Sequence, residues 1–450
     1  QLETRLRFYE AGYPDAKVTF TAQAEGEDTP EVAEILAQIS VESGPRVRTG
    51  SITWEGLNFT NLATVKREIQ LESGKWLSRT DLEESRRQLS GLGVFDSVRT
   101  DLKLQDTLST ENLEIRNVTF QLEESNRREY FIRAGYGSYE KLRGGIEIAQ
   151  KNIFGRTHRS KVALRASFKS QAAEFQYIVP DLWGSSLRWN ASVDWLNRKE
   201  VSFERDELTF QTGIDTYLDA LGARARVSYQ LGRLESRNID LQEMVGDESS
   251  RTGSLEFGIL RDTLDNPIVP REGYRIRWSG EIAGEVLGSE SQFQLYEFSY
   301  AYHREIRSGW YFHGRFQHSV VFSLDNPDSA VPFNKRFFPG GENSIRGFRE
   351  GEASFRNAKG IFIGASAVSL ATLEMERVLM GDLLLVGFWD GLWQGEREAD
   401  YPGEEFLHSA GLGLRYNSPV GPFRLEYGYN LNPRIGDPQG TLHVSLGFPF

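Results

Sequence analysis

The polar and apolar positions of this chain follow two different rhythms, and the change falls near residue 125. At the end of the sequence, Thr441–Phe450 alternates strictly. Leu442, Val444, Leu446, Phe448 and Phe450 share one face, and Thr441, His443, Ser445 and Gly447 share the other. Phe423–Leu431 splits in the same way, with Phe423, Leu425, Tyr427, Tyr429 and Leu431 opposite Arg424, Glu426, Gly428 and Asn430. A period of two is the signature of a strand with two unlike faces. From Arg128 onward strand-like runs of this kind alternate with turn signals, and no useful helical period survives. Fifteen connections, near 138–142, 153–157, 169–172, 180–186, 197–204, 219–222, 235–250, 263–272, 286–290, 305–309, 325–356, 376–381, 392–405, 417–422 and 432–439, predict sixteen strands. Those near 153, 180, 219, 263, 305, 376 and 417 are mostly short. Those near 197, 235, 325 and 392 are long.

The first 125 residues read as mixed α/β. Leu2, Leu6 and Tyr9 predict a helix that ends at Gly12-Tyr13-Pro14. Strand-like runs follow over Ala16–Gln23 and Val32–Glu42, and Ser43-Gly44-Pro45 breaks the chain. A complete unit comes next: a strand over Val47–Glu55, a helix over Asn61–Ile69 with Asn61 at its N-cap, and a helix over Arg79–Leu92 capped by Ser78 or Thr80. Two more strands, Val94–Leu104 and Leu113–Glu123, close it. The order is strand, helix, helix, strand, strand. Residues 1–44 match the second half of that order, which gives a weak repeat of about 80 residues.

Composition separates the barrel from a soluble sandwich. The chain holds 28 Phe, 17 Tyr and 9 Trp beside 44 glycines, with a formal net charge of −12. The apolar faces are rich in aromatics while the opposite faces carry Arg, Glu and Asn. Apolar outside and polar inside suits a lipid-facing β-barrel with a polar lumen. No stretch approaches the roughly 20 apolar residues a membrane helix needs. The acidic balance gives no nucleic-acid footprint. Absent cysteine excludes disulfides, thiolate metal sites and cysteine nucleophiles. The six histidines form no metal-ligand spacing, and no G-x-S-x-G, P-loop or H-E-x-x-H occurs. No enzyme, catalytic residue, cofactor or metal is expected.

One stretch is unlike the rest. Lys335–Phe348, KRFFPGGENSIRGF, is a Gly-rich loop inside the long connection 325–356, with Arg346 beside Gly347. A connection of that length that is not low-complexity points to an ordered functional loop. It is read as folded back into the barrel lumen, with Arg346 as anchor. By the count above it is the sixth external loop.

The motif Ile345-Arg346-Gly347-Phe348 after Gly340-Gly341 resembles the lid-loop signature of the outer-membrane protein assembly superfamily. Arg261-Asp262-Thr263 with Pro270-Arg271-Glu272-Gly273, the run Asn417–Asn432, and the terminal Phe450 resemble it too. The unit at 45–125 is similar to that superfamily's POTRA domain. The resemblance implies three parts: residues 1–44 as the C-terminal half of a POTRA domain, 45–125 as a complete one, and 126–450 as a sixteen-strand antiparallel transmembrane β-barrel. It implies a bacterial outer-membrane location with the POTRA part in the periplasm. It also implies that Arg346 is held by lumen carboxylates, for which Asp390 in Phe388-Trp389-Asp390-Gly391 and Glu374 in LATLEMER fit, with Glu376 a rival on the same face. Leu442, Val444, Leu446, Phe448 and Phe450 would form the C-terminal signal strand. The implied function is assembly, insertion or translocation of outer-membrane proteins through POTRA capture and a weak seam between the first and last barrel strands. Gly135, Gly137, Gly440 and Gly447 thin that seam, and cysteines at Arg133 and Val444 would lock it. Unfolded outer-membrane or secreted proteins, accessory subunits and the bilayer are the implied partners. The alternative is a two-partner secretion transporter that exports a dedicated protein through the barrel.

Overall fold

The structure is a computed structural model that describes residues 2–24, 35–105, 113–237, 249–324, 331, 333–402, 405–418 and 421–447. Two units separate by their contacts: residues 1–129 with 150–159, and residues 130–149 with 160–450.

The N-terminal unit opens with α1 (Leu2–Glu10) and the hairpin β1 (Lys17–Ala24) and β2 (Ile35–Glu42). Then come β3 (Arg46–Glu55), α2 (Leu62–Arg67), α3 (Arg79–Gly91), β4 (Phe95–Leu104) and β5 (Leu113–Glu124). β3 and β5 pair in parallel and β4 pairs antiparallel with β5, so the sheet order is β3-β5-β4. Val47, Val65, Leu77, Leu89, Val118 and Phe120 are fully buried between this sheet and the two helices. Ser78 caps α3 by accepting from the Asp81 amide at 3.1 Å. Asn61 stands at the N-cap of α2 but makes no capping bond; its side-chain amide donates instead to the Phe154 carbonyl at 2.8 Å.

Glu124, at the end of β5, holds the entry to α2. Its carboxylate accepts from the Phe59 amide at 3.1 Å and the Thr60 amide at 2.7 Å. Partial burial raises its pKa, but hydrogen bonds from Thr60, Phe59 and Asn58 outweigh this and bring it below the usual glutamate value. A depressed carboxylate contributes stability above its unfolded pKa and loses it as pH falls through the folded one. Glu124→Gln is therefore expected to destabilise this unit by about 0.5–1.5 kcal/mol at neutral pH, since water screens the partly exposed carboxylate. The gap to the parent should shrink in acid, below about pH 4; thermal unfolding at pH 7 and pH 3 reads both.

The second unit is a closed barrel of sixteen strands, each antiparallel to its neighbours in the pairings recorded. It starts with Arg128–Gly137 and ends with Gly440–Leu446. The predicted alternation is visible in the last hairpin, where Glu426 and Asn430 point inward and are 4% and 1% exposed while Tyr427 and Tyr429 point outward and are each 47% exposed. In the last strand Leu442 and Leu446 face out and His443 and Ser445 face in. Phe448 and Phe450 lie outside the described residues.

The long connection between the strands Trp310–Ser323 and Ala367–Met380, the eleventh and twelfth of the barrel and here called the sixth loop, is longer than the sequence suggested. The expected end near Arg356 is corrected to Ser366. The Asn357 side chain accepts from the amides of Lys359 and Ile361, both at 3.0 Å, and makes a turn with Gly360 at φ +80°. Ile361 and Ile363 after it look strand-like because they are apolar, but they pack with Phe203, Phe333 and Phe338.

Candidate functional site

The sixth loop is held in the lumen by charged side chains, among them Lys335 and Arg346. At its start, Lys335 Nζ donates to both carboxylate oxygens of Glu281 at 2.8 Å and lies 5.2 Å from the Phe293 ring centre. In its middle sits Arg346, 3% exposed. Its Nε and Nη2 donate to the two oxygens of Asp390 at 2.9 and 2.7 Å. Its Nη1 donates to Glu374 at 2.5 Å and to Glu426 at 3.1 Å. The Arg346 amide also donates to Asp390 at 3.1 Å, and the guanidinium lies 3.5 Å from the Phe388 ring centre. The two-oxygen geometry fits the planar fork of arginine and not the point charge of lysine.

A second cation completes the cluster. Arg415 donates to Glu374 at 2.9 Å and to Glu426 at 2.7 Å, and pairs with Glu376. Both rivals on the strand Ala367–Met380 are thus engaged, Glu374 by both arginines and Glu376 by Arg415 and by His313 at 3.3 Å. Four carboxylates face two guanidiniums. Charges taken out of water in this way are tolerated only when paired and hydrogen-bonded.

Glycines let the main chains meet. Gly347 donates its amide to Ser409 Oγ at 3.2 Å, and its carbonyl accepts from Thr441 Oγ1 at 2.9 Å. A Cβ at Gly347 would fall 1.7 Å from Asn430 Oδ1. A Cβ at Gly428 would fall 2.4 Å from the Arg346 carbonyl carbon and oxygen. His443 Nε2 lies 2.9 Å from that same oxygen. Ile345 and Phe348 flank the arginine and bury with Leu370, Leu392, Leu407 and Ala353. Gly340 and Gly341 take φ +133° and +96°, which other residues adopt only under strain. The structure therefore gathers Ile345, Arg346, Gly347, Phe348, Asp390 and Glu374 at one place. Sequence reasoning missed Arg415, Glu426, Ser409, Thr441 and His443. Among the described residues, no group of three His, Asp or Glu side chains could hold a metal ion.

Residues 152–450 match the model of the Omp85 superfamily domain. The chain belongs to the Omp85 superfamily. Residues 47–125 match the POTRA model, described as a surface antigen variable number repeat. The chain is 26% identical over 97% of its length to the outer membrane protein assembly factor BamA of Nitratidesulfovibrio vulgaris, covering 55% of that protein. It is 22% identical over its full length to BamA of Neisseria meningitidis, covering 62% of that one. This Omp85 chain thus spans somewhat more than half the length of these relatives. Among solved structures, BamA from Haemophilus ducreyi lacking POTRA domains 1-3 superposes with a TM-score of 0.80 at 18% identity, over 99% of this chain and 92% of that one. CdiB from Escherichia coli gives 0.56 at 16% identity, over 99% and 83%. At such identities the likeness speaks for the fold. Family and barrel together make this an outer-membrane protein.

The seam of this Omp85 barrel is the other distinctive feature. Among the described residues, which end at Gly447, the first and last strands pair at two positions, Ser445 with Gly137 and Leu446 with Tyr136. The last two strands pair over seven residues and the sixth and seventh over fifteen. The glycines act here by allowing close approach: a Cβ at Gly135 would lie 2.7 Å from the Leu446 carbonyl oxygen, and one at Gly447 2.7 Å from that of Ala134. The proposed Arg133–Val444 lock is corrected, since the register sets Gly137 opposite Ser445.

Proposed function

We propose that this protein assembles or inserts other outer-membrane proteins, working at the seam between its first and last barrel strands. The short pairing of these strands among the described residues carries this reading. Among the described residues two residue pairs of ladder join these strands, worth about 1–3 kcal/mol, and an opened seam offers unpaired N–H and C=O groups on which an incoming strand can pair. The relatives named as assembly factors support the same activity.

The N-terminal unit fits substrate capture from the periplasm, with residues 1–44 as the C-terminal half of one POTRA domain and 45–125 as the next. The outer edge of β3 is covered by the segment Gly74–Leu77, whose main chain bonds to Val47 and Thr49. β4 has no strand partner on its outer side among the described residues. β4 is therefore the edge on which an extended, unfolded outer-membrane protein would add. Accessory subunits and the lipid bilayer complete the working assembly. Arg346, with Asp390 and Glu374 as partners, anchors the loop that shapes the barrel wall beside the seam, and Leu442, Val444, Leu446, Phe448 and Phe450 form the signal strand. The secretion alternative would need the sixth loop, held at Lys335 and Arg346, to leave the lumen.

Cysteines at Gly137 and Ser445, directly opposite across the seam, give the test. In the full-length protein the oxidised pair is expected to lower outer-membrane protein assembly at least about tenfold, with recovery on reduction. Undiminished assembly by the locked form would sink the proposal.

A further inference from the structure

Beyond the pair Ser445–Gly137, the external end of the seam is closed by a side chain. Val444 lies next to the last paired residue, and its amide and carbonyl point across the seam, where the first strand has already ended at Gly137. The hydroxyl of Ser138 occupies both groups. Its Oγ accepts from the Val444 amide at 2.6 Å and lies 3.2 Å from the Val444 carbonyl oxygen, to which it donates. A hydroxyl can do both at once because it carries one donor and two acceptor sites. It stands in for the main chain of a neighbouring strand.

The hairpin that carries Ser138 is fastened to the far side of the seam. Tyr139 Oη donates to the Lys199 carbonyl at 2.8 Å. Glu140 pairs with Arg198 at 3.1 Å, accepts from Ser170 Oγ at 3.2 Å and bonds to Ser167 Oγ. The Glu140 carbonyl accepts from the Phe168 amide at 3.2 Å. Beside it lies a cavity of about 670 Å³ that Ser138, Tyr139 and Glu342 line on one side and Leu442, His443 and Val444 on the other. Free volume thus adjoins the strand edge that Ser138 covers.

We infer that the Ser138 hydroxyl is the latch of the seam: it holds the external end closed by occupying the Val444 amide and carbonyl, and it is the group an incoming strand must displace. This deepens the seam reading of function and rests on it. The latch itself is measured without any assembly assay. In the full-length protein with cysteines at Gly137 and Ser445, the rate of disulfide formation reports how often the seam is closed. Ser138→Ala is expected to slow that rate, by up to about fivefold, as loss of one net hydrogen bond implies. Ser138→Thr, which keeps the hydroxyl, should retain the parental rate. Heat-modifiable gel mobility confirms that each variant forms a barrel. Should Ser138→Ala not form a barrel, Tyr139→Phe loosens the same hairpin and is expected to slow the rate while leaving the hydroxyl in place. An unchanged rate in whichever variant forms a barrel overturns the latch. If the rate falls while outer-membrane protein assembly is untouched, the latch stands and the seam reading of function is what fails.

Discussion

Replacing Arg346 with alanine should unfold the lumen part of the sixth loop and destabilise the barrel by about 3–5 kcal/mol. Asp390 is fully buried, and among the described residues its hydrogen bonds all go to Arg346. Without the guanidinium that carboxylate is left with one backbone amide in a site closed to water. Glu374 and Glu426 keep Arg415, so their loss is partial. The stacking on Phe388 goes as well. Arg346→Lys should fall in between, since an ammonium cannot span both Asp390 oxygens. Lys335→Ala should cost less, because it removes one pair with Glu281. Heat-modifiable mobility of the purified barrel gives the order of the three variants, and protease cutting within residues 333–366 shows whether the loop has left the lumen. An Arg346→Ala barrel with parental midpoint and cutting pattern would contradict the anchor.

The alternation behind the barrel was readable because a strand between lipid and a polar lumen must repeat every second residue. It failed as a guide where the lumen is not wet. The strand Leu383–Gly395 is apolar on both faces, which hid the direction of Asp390. Its inward residues include Leu392, which packs on Ile345 and Phe348 of the loop rather than on water. The same packing disguised the loop end at Ile361 and Ile363. Arg415 and Glu426 gave no signal of their own, each being one charged residue among many on an inward face. Only register sets them beside Glu374, and a period of two fixes the face of a residue without fixing its height against the next strand. The displaced crosslink partner of Val444 has that same cause. The motif around Arg346 was legible as a resemblance, and the glycines in it had a steric meaning only the folded chain reveals.

That steric meaning gives the second large effect. Gly428→Ala leaves every charge of the cluster in place, yet it should release the loop nearly as fully as Arg346→Ala. The new methyl would sit 2.4 Å from the Arg346 carbonyl carbon and oxygen, both main-chain atoms, so no side chain can rotate aside. Overpacking of this kind costs about 1–3 kcal/mol or more, and here the loop can relieve it by lifting Arg346 off Asp390. Gly347→Ala meets Asn430 Oδ1 at 1.7 Å, and Asn430 is itself buried with its amide donating to the Pro438 carbonyl at 2.6 Å. It should therefore be destabilising too, though a side chain is the obstacle. Gly144→Ala is the control: its nearest neighbour is the Arg133 carbonyl oxygen at 3.8 Å, and it should leave the midpoint unchanged. Because Gly428 and Arg346 act on one contact, the double variant should lose little more than either single one, a strong departure from additivity. If Gly428→Ala melts with the parent, the loop and the last hairpin do not meet backbone to backbone. If instead the two losses simply add, the glycine seat and the charge cluster hold the loop independently.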